Sequence, residues 1–467
     1  MPIGQLVPAL QEALAVLAPH SCHASAYVRR DTGTRVRTDN QGGVPLPMSP
    51  RAGFTLTAWR GGRIHEASCD DARPMTVARE ARRLAKRLAS CALPVEGPCP
   101  QPGEALERSF EHEMERDSRE VPVDEKLELG RALREHLLGR GERLVEALTE
   151  VADVHADILY VDAQRQLRQR LHRVRQIALG VFADDAHQAQ LHDGFERIGG
   201  WEHMQLEPDR WEALLRDGPR ILGAPRIPDP GRHVCVFAPA FAGMFAHEAF
   251  GHGTEQDLFR KRRAKGAEYM GQQVASEMVD MFDDPSNGWA ASYFFDDEGV
   301  LAHPTRIIDK GVLVAGLNDA QSAAALQASG IQVAKSANGR REAFDHKVYA
   351  RMSNTFFGPG ASDLEAMIAS VEHGYLLRHP SNGMEDPQGW GIQLEGAYAE
   401  RIAEGALTGE VFSPVVVTGF VPDLLRSISM VGSEVAECSL GMCGKGYKEW
   451  VKVTDGGPAL RLEAVLA

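Results

Sequence analysis

The sequence predicts an α+β protein of two domains, and three observations predict it. Helix-like and strand-like stretches are mixed through residues 1–222. A break with three prolines in nine residues, Gly223-Ala224-Pro225-Arg226-Ile227-Pro228-Asp229-Pro230-Gly231, follows. Beyond it, short β-branched and aromatic runs separated by Gly, Asp and Pro dominate. We therefore expect an amino-terminal α+β domain over 1–222 and a β-rich domain over 231–467; a chain of 467 residues is long enough to build both cores.

Taken in order, residues 1–20 place Leu6, Leu10, Leu14 and Leu17 along a short helix. Residues 25–28 and 54–59 alternate as strands do, and Arg60-Gly61-Gly62-Arg63 reads as a hairpin tip. Residues 76–89 form an amphipathic helix with Val77, Ala81, Leu84 and Leu88 on its apolar stripe. Arg79, Arg82, Arg83, Lys86 and Arg87 are its solvated face. Residues 91–103, with four prolines and two glycines, are a loop. Residues 124–150 read as a second helical stretch with Leu127, Leu133, Leu137, Leu144 and Leu148, interrupted near Gly139 and Gly141. Residues 158–161 and 177–182 are strands, and 208–222 is helix-like. In the second half, 289–295, 305–313 and 411–420 read as strands, and 321–328 and 361–373 as short helices. No period of 20–50 residues repeats.

A net charge of −14 argues against binding nucleic acid through a basic surface and against docking on anionic membranes. The longest apolar run, 234–246, contains Pro239 and is too short to span a bilayer. The segment Met1-Pro2-Ile3-Gly4-Gln5 lacks the basic and apolar regions of a signal peptide. Seven cysteines (22, 69, 91, 99, 235, 438 and 443), odd in number and without a C-x-x-C pair, fit reduced thiols in the cytoplasm.

The chemistry concentrates in His247-Glu248-Ala249-Phe250-Gly251-His252. Two histidines with a glutamate directly after the first can form a metal site with its own general base. Four residues apart, two histidines share a helix face. Five apart, they lie about 140° apart around a regular helix. The motif thus predicts a distorted helix carrying a metal, or no metal, with Gly251 as the residue best able to let the backbone form a π-type turn. A catalytic site needs a third protein ligand and an open position. Spacing leaves Glu255, Asp257, Cys438 and Cys443 as candidates. Glu248 is placed to take the proton of a metal-activated water that attacks a peptide carbonyl, and to return it to the leaving amine.

From about Gly231 onward the chain resembles the TldD/PmbA family, also called modulators of DNA gyrase. The resemblance rests on ordered segments: 245–255 around H-E-x-x-x-H, and Phe295-Asp296-Asp297-Glu298-Gly299 followed by Ile307-Ile308-Asp309-Lys310-Gly311-Val312-Leu313. Asn338-Gly339-Arg340-Arg341, Arg351-Met352-Ser353-Asn354-Thr355 and Gly441-Met442-Cys443-Gly444-Lys445 follow. The resemblance implies a metallopeptidase acting on unfolded or modified peptides. It implies His247, His252 and Cys443 as metal ligands and Glu248 as the catalytic base. It also implies a dimer, either with itself or with a metal-free relative. The ion expected is zinc, with iron or another divalent transition metal as the alternative. We expect the second domain to hold a strongly curved antiparallel sheet carrying the metal site. The chain departs from the family pattern at Val333-Ala334-Lys335-Ser336-Ala337 and at Gly446-Tyr447-Lys448-Glu449-Trp450.

Arg340, Arg351 and Asn354 are candidate substrate-binding residues: the arginines to clamp a carboxylate or oxyanion, the asparagine to bond a substrate backbone. Arg341 is a candidate for the same clamp, and His303 and His346, which could orient substrate, read first as ordinary surface or loop histidines. Asp296, Asp297 and Glu298 read as a solvated turn, with a cation site as the alternative. Residues 415–418 read as core strands, with edge pairing to an extended peptide as the alternative. Two other functions compete: a peptide-binding module with a structural metal, and a non-hydrolytic metalloenzyme in peptide maturation. A structural site would need a fourth protein ligand.

Overall fold

The computed structural model describes residues 2–101, 103–446 and 448–467; Pro102 of the proline-rich loop and Tyr447 lie outside the described residues. The fold is mixed α and β and rich in strands. Strands drawn from residues 23–198 form one eight-stranded sheet built around His23–Asp39, Leu144–Val161 and Arg165–Ala183. The hairpin tip falls where the sequence placed it: Arg60 pairs with Arg63, and both glycines take positive φ (58° and 72°), the conformation a tight two-residue hairpin needs.

Helices Val7–Leu17 and Pro74–Ala89 cover one face of the sheet; Leu10, Leu14, Val77, Leu84 and Leu88 share a core with Val28, Phe54 and Leu56. Tyr27, Ile158, Tyr160 and Leu171 instead meet Tyr293, Phe295 and Phe344 of the second half. This alternation is the period of two that a sheet buried on both faces requires.

The helix read over 124–150 is shorter than expected. It spans Val123–Arg140, and Leu144 and Leu148 belong to the strand Leu144–Val161. Leu144, Ala147, Thr149 and Val151 are buried there while Val145 is exposed, so strand burial decided the local structure over the leucine spacing.

In the second half, five strands close on themselves in the order Gly231–Phe237, Leu460–Leu466, Val415–Phe420, Gly391–Ala403 and His373–Asp386, the last returning to the first. The curved sheet is thus a small closed barrel. It is not wholly antiparallel: Val234–Phe237 runs parallel to Gly374–Leu377, because the 136 residues between those segments supply the crossover a parallel pair needs. Both sides of Val415–Phe420 are paired, so 415–418 is a core strand, and closure leaves no free edge there for a peptide.

A six-stranded sheet holds Asn354–Phe357 beside Thr454–Gly457 in parallel. Residues 289–295 are not a strand. The side chains of Asn287, Asn354 and Thr454 bond the backbone N–H groups of Trp289 and Ala291 there, in place of a ladder. Within 361–373 only Leu364–Ala369 is helical, capped by Asp363. Among the described residues, no helix is long and apolar enough to cross a membrane.

Candidate metal centre

The strand Gly231–Phe237 leads into the helix Pro239–Ala246, whose Phe241 and Phe245 pack in one core with Phe237, Leu394 and Leu462. This anchoring holds the next residues. From His247 to Gly251 the helix widens into a π-turn, then tightens to a 3-10 turn over His252–Thr254. A π-turn takes up about one extra residue relative to an α-turn, so histidines five apart face the same way. Their ring centroids are 5.0 Å apart. Gly251 has an ordinary helical φ of −58°. Its missing side chain serves close packing, since a Cβ there would lie 1.9 Å from Met352 Sδ.

The third donor arrives on the hairpin Met442–Lys445 and Lys448–Lys452. Cys443 Sγ lies 3.3 Å from His247 Nε2 and 3.3 Å from His252 Nε2. The three donor atoms lie within 4.8 Å of one another. Arg351 fastens this hairpin from below: its guanidinium donates to the Cys443 carbonyl at 2.8 Å and to the Glu449 carbonyl.

Each imidazole has a carboxylate at its other nitrogen. Asp455 Oδ1 is 2.8 Å from His247 Nδ1, a short ionic contact without hydrogen-bond alignment. Glu255 Oε2 is 3.5 Å from His252 Nδ1. Glycines bring Asp455 into place: a Cβ on Gly243, one helical turn before His247, would lie 2.8 Å from Gly456 N. Helix and strand therefore touch backbone to backbone. Lys445 ties the other side, donating to Glu255 at 2.9 Å and Asp257 at 2.6 Å.

Burial opposes charge on all three donors, but their mutual attraction outweighs it. Asp455 and the Cys443 sulfur hold the His247 imidazole well above its usual range. Cys443 does most to raise His252 to about 10. The two histidines in turn hold the Cys443 thiol well below its usual value. Glu255 is buried, yet Lys445 foremost keeps it below the ordinary carboxylate range. Glu248, next to His247, is raised by burial. Two imidazoles and a thiolate, each imidazole backed by a carboxylate, are a donor set that fits zinc or another transition ion.

Other candidates have different places. Glu255 and Asp257 are committed to Lys445, so they support the donors. Cys438 pairs across from Asp455 in the six-stranded sheet, outside the donor group. Arg351 is 1% exposed and Asn354 is fully buried. Arg351 holds the hairpin, and Asn354 binds the Asp284 carbonyl and the Asn287 and Ser292 side chains. As placed, both are structural rather than free to meet a substrate. Arg340 is half-buried, donates to the Met352 carbonyl and lies over the Tyr293 ring. Arg341 spans the Phe344 and His346 carbonyls. His303 contacts the Leu301 and Lys335 carbonyls, and His346 contacts Glu449 at 2.9 Å.

The acidic turn is buried instead of solvated. Asp296 accepts from the backbone N–H of Glu298, Val300 and Gly339, and Asp297 from Tyr27 and Arg341. Burial pushes Asp296 up to about 7. Asp455 went unrecognised from sequence, because it has no fixed spacing from His247; Lys445 stands in the motif with Cys443, but its contact with Glu255 and Asp257 did not show there. A Gly-Gly pair directly after Asp455 was the one local sign of a close approach.

Comparison with known proteins finds relatives of this chain. The family profile described as the PmbA/TldA metallopeptidase C-terminal domain matches residues 230–466. A metalloprotease of Methanothermobacter thermautotrophicus is 30% identical over 76% of this chain and 77% of its own length. A zinc metalloprotease TldD homolog of Saccharolobus solfataricus is 26% identical over 50% of this chain and 51% of its own. The crystal structure of a modulator of a DNA gyrase from Thermotoga maritima superposes with a TM-score of 0.77, at 15% identity, over 99% of this chain and all of that one. The profile and the Methanothermobacter relative lead to one assignment: this chain belongs to the TldD/PmbA family of metallopeptidases.

Proposed function

We propose that the chain is a metal-dependent peptidase that hydrolyses unfolded or modified peptides. His247, His252 and Cys443 hold a divalent ion, and Glu248 is the general base. The observation that carries this reading is the meeting of the two Nε2 atoms on Cys443 Sγ, with a carboxylate behind each ring. Zinc is the first choice of ion, supported by the donor set and by the name of the Saccharolobus relative.

When bound, such an ion polarises a peptide carbonyl and lets water react near neutral pH. The chain's own residues do the rest. Asp455 and Glu255 orient the imidazoles so that Nε2 faces inward. Arg351 and Lys445 fix the hairpin that presents the sulfur. Glu248 is packed under the strand His373–Asp386, where a Cβ on Gly383 would lie 2.5 Å from Glu248 Cγ. Its carboxylate accepts a proton from the attacking water and delivers it to the departing amine. Burial, by raising this carboxyl, brings it closer to the pKa such a shuttle needs. A group of three donors favours this over a purely structural ion, which takes four protein ligands.

The test is cleavage of an unfolded-peptide library read by mass spectrometry, beside metal analysis of the same samples. Glu248→Gln should retain the ion and lose about 100-fold or more in rate, while His247→Ala should lose both. Normal cleavage by Glu248→Gln removes the base assignment.

A further inference from the structure

One carboxylate beside the centre has no part in the reading above. Glu385 lies near the end of the strand His373–Asp386, two residues after Gly383, so both point to the same side. Gly383 packs on Glu248. Glu385 reaches the next turn: an ideal Cβ on Gly253, the residue after His252, would lie 2.7 Å from Glu385 Oε1. The same strand therefore covers the base with one residue and the second histidine's neighbour with the other.

Both Glu385 oxygens are shielded from solvent, and neither has a hydrogen-bond partner among the described residues. Nearby acids are engaged: Glu255 and Asp257 with Lys445, Asp455 with His247, and Asp386 with the N–H groups of Gln388 and Gly389. An idle donor on the same side is Trp390 Nε1, which faces the same Gly253 and is also unpaired. One neutral N–H cannot stabilise the ionised form of Glu385, which burial disfavours, whereas a cation with several N–H donors can.

We propose that Glu385 is a specificity-determining residue that receives a cationic group of the peptide substrate, an ammonium or a guanidinium, beside the Glu248 base. This rests on the peptidase reading. The cation has two sources. If it is the α-ammonium, the protein trims peptides from the amino terminus. If it is a Lys or Arg side chain, it selects basic residues near the cleaved bond. Gly253 lets Glu385 and Trp390 pack directly on the backbone beside His252, since any side chain there would meet both.

The experiment measures peptide binding by calorimetry to the full-length, zinc-loaded Glu248→Gln protein, with and without Glu385→Gln. Probes are Ala-Ala-Phe, its N-acetyl form, N-acetyl-Lys-Ala-Phe and N-acetyl-norleucyl-Ala-Phe. We expect Glu385-containing protein to prefer one charged member, Ala-Ala-Phe or the lysyl peptide, over its neutral counterpart by about tenfold or more. Glu385→Gln should remove that preference at unchanged zinc content and melting temperature. Preference for the free amine marks the α-ammonium, and preference for lysine marks the side chain. Equal binding of charged and neutral peptides by the Glu385-containing protein overturns the proposal without need of the variant. Survival of the preference in Glu385→Gln overturns it as well. Cleavage by wild-type protein is scored separately. Loss of cleavage with a Glu385-dependent preference intact rejects the peptidase reading alone, and Glu248-dependent cleavage without charge preference rejects this inference alone.

Discussion

Replacing Asp455 with Asn isolates the contribution of the carboxylate behind His247. The substitution keeps the size and one acceptor oxygen but removes the charge 2.8 Å from His247 Nδ1. Two unit charges at 2.8 Å in an effective dielectric of about 20 attract by about 6 kcal/mol, which is the ceiling for a fully charged pair. An imidazole acting as a ligand is neutral, so only part of that acts on metal binding. Carboxylates in this position elsewhere are worth about 10–100-fold in metal affinity, or about 1.4–2.7 kcal/mol. The contact is short but not aligned as a hydrogen bond, which favours the lower end. We expect Asp455→Asn to weaken zinc binding about tenfold. Competition against a chromophoric chelator at fixed pH measures it, with Cys443→Ser as the reference that removes a donor outright. If Asp455→Asn binds zinc as wild type does while Cys443→Ser fails to, the carboxylate does not tune the site. If both bind normally, the ion sits elsewhere.

Further outcomes follow from the same geometry. Lys445→Met strips a cation from buried Glu255 and Asp257. Because Arg351 and Lys261 remain near them, we expect a loss near about 3 kcal/mol in urea unfolding; a change within the error of the titration contradicts this account of the hairpin anchor. Gly243→Ala drives a Cβ against the Gly456 backbone. It should cost about 1–3 kcal/mol and also weaken zinc binding by parting His247 from Asp455, so unchanged stability and affinity together argue against the glycine contact. Zinc affinity should rise with pH. His252 stays protonated up to about 10 in the metal-free protein, and His247 is raised too, so the ion must displace protons from both rings and few from the already ionised Cys443. Calorimetry in buffers of different ionisation enthalpy reads that proton release, and an affinity independent of pH between 6 and 8 contradicts it.

What the sequence alone determined was local. The hairpin at Gly61-Gly62, the helix over 76–89 and the loop after it depend on neighbouring residues, and patterning showed them. The His247–His252 spacing stated a geometric condition, a helix distorted by about one residue, and the π-turn meets it. The ordered motifs pointed to the family before any fold was known. Tertiary structure decided the rest. Leu144 and Leu148 carry helical spacing but lie in a strand, because pairing with Phe182 and Leu179 across the sheet outweighs propensity. Arg351 and Asn354 look like substrate contacts in a motif, yet packing turns them inward. Asp455, Lys445 and Glu385 join the histidines from 130 to more than 200 residues away. Such meetings depend on how a barrel closes and on where two glycine backbones touch. Those are properties of the assembled core, and no window of sequence contains them.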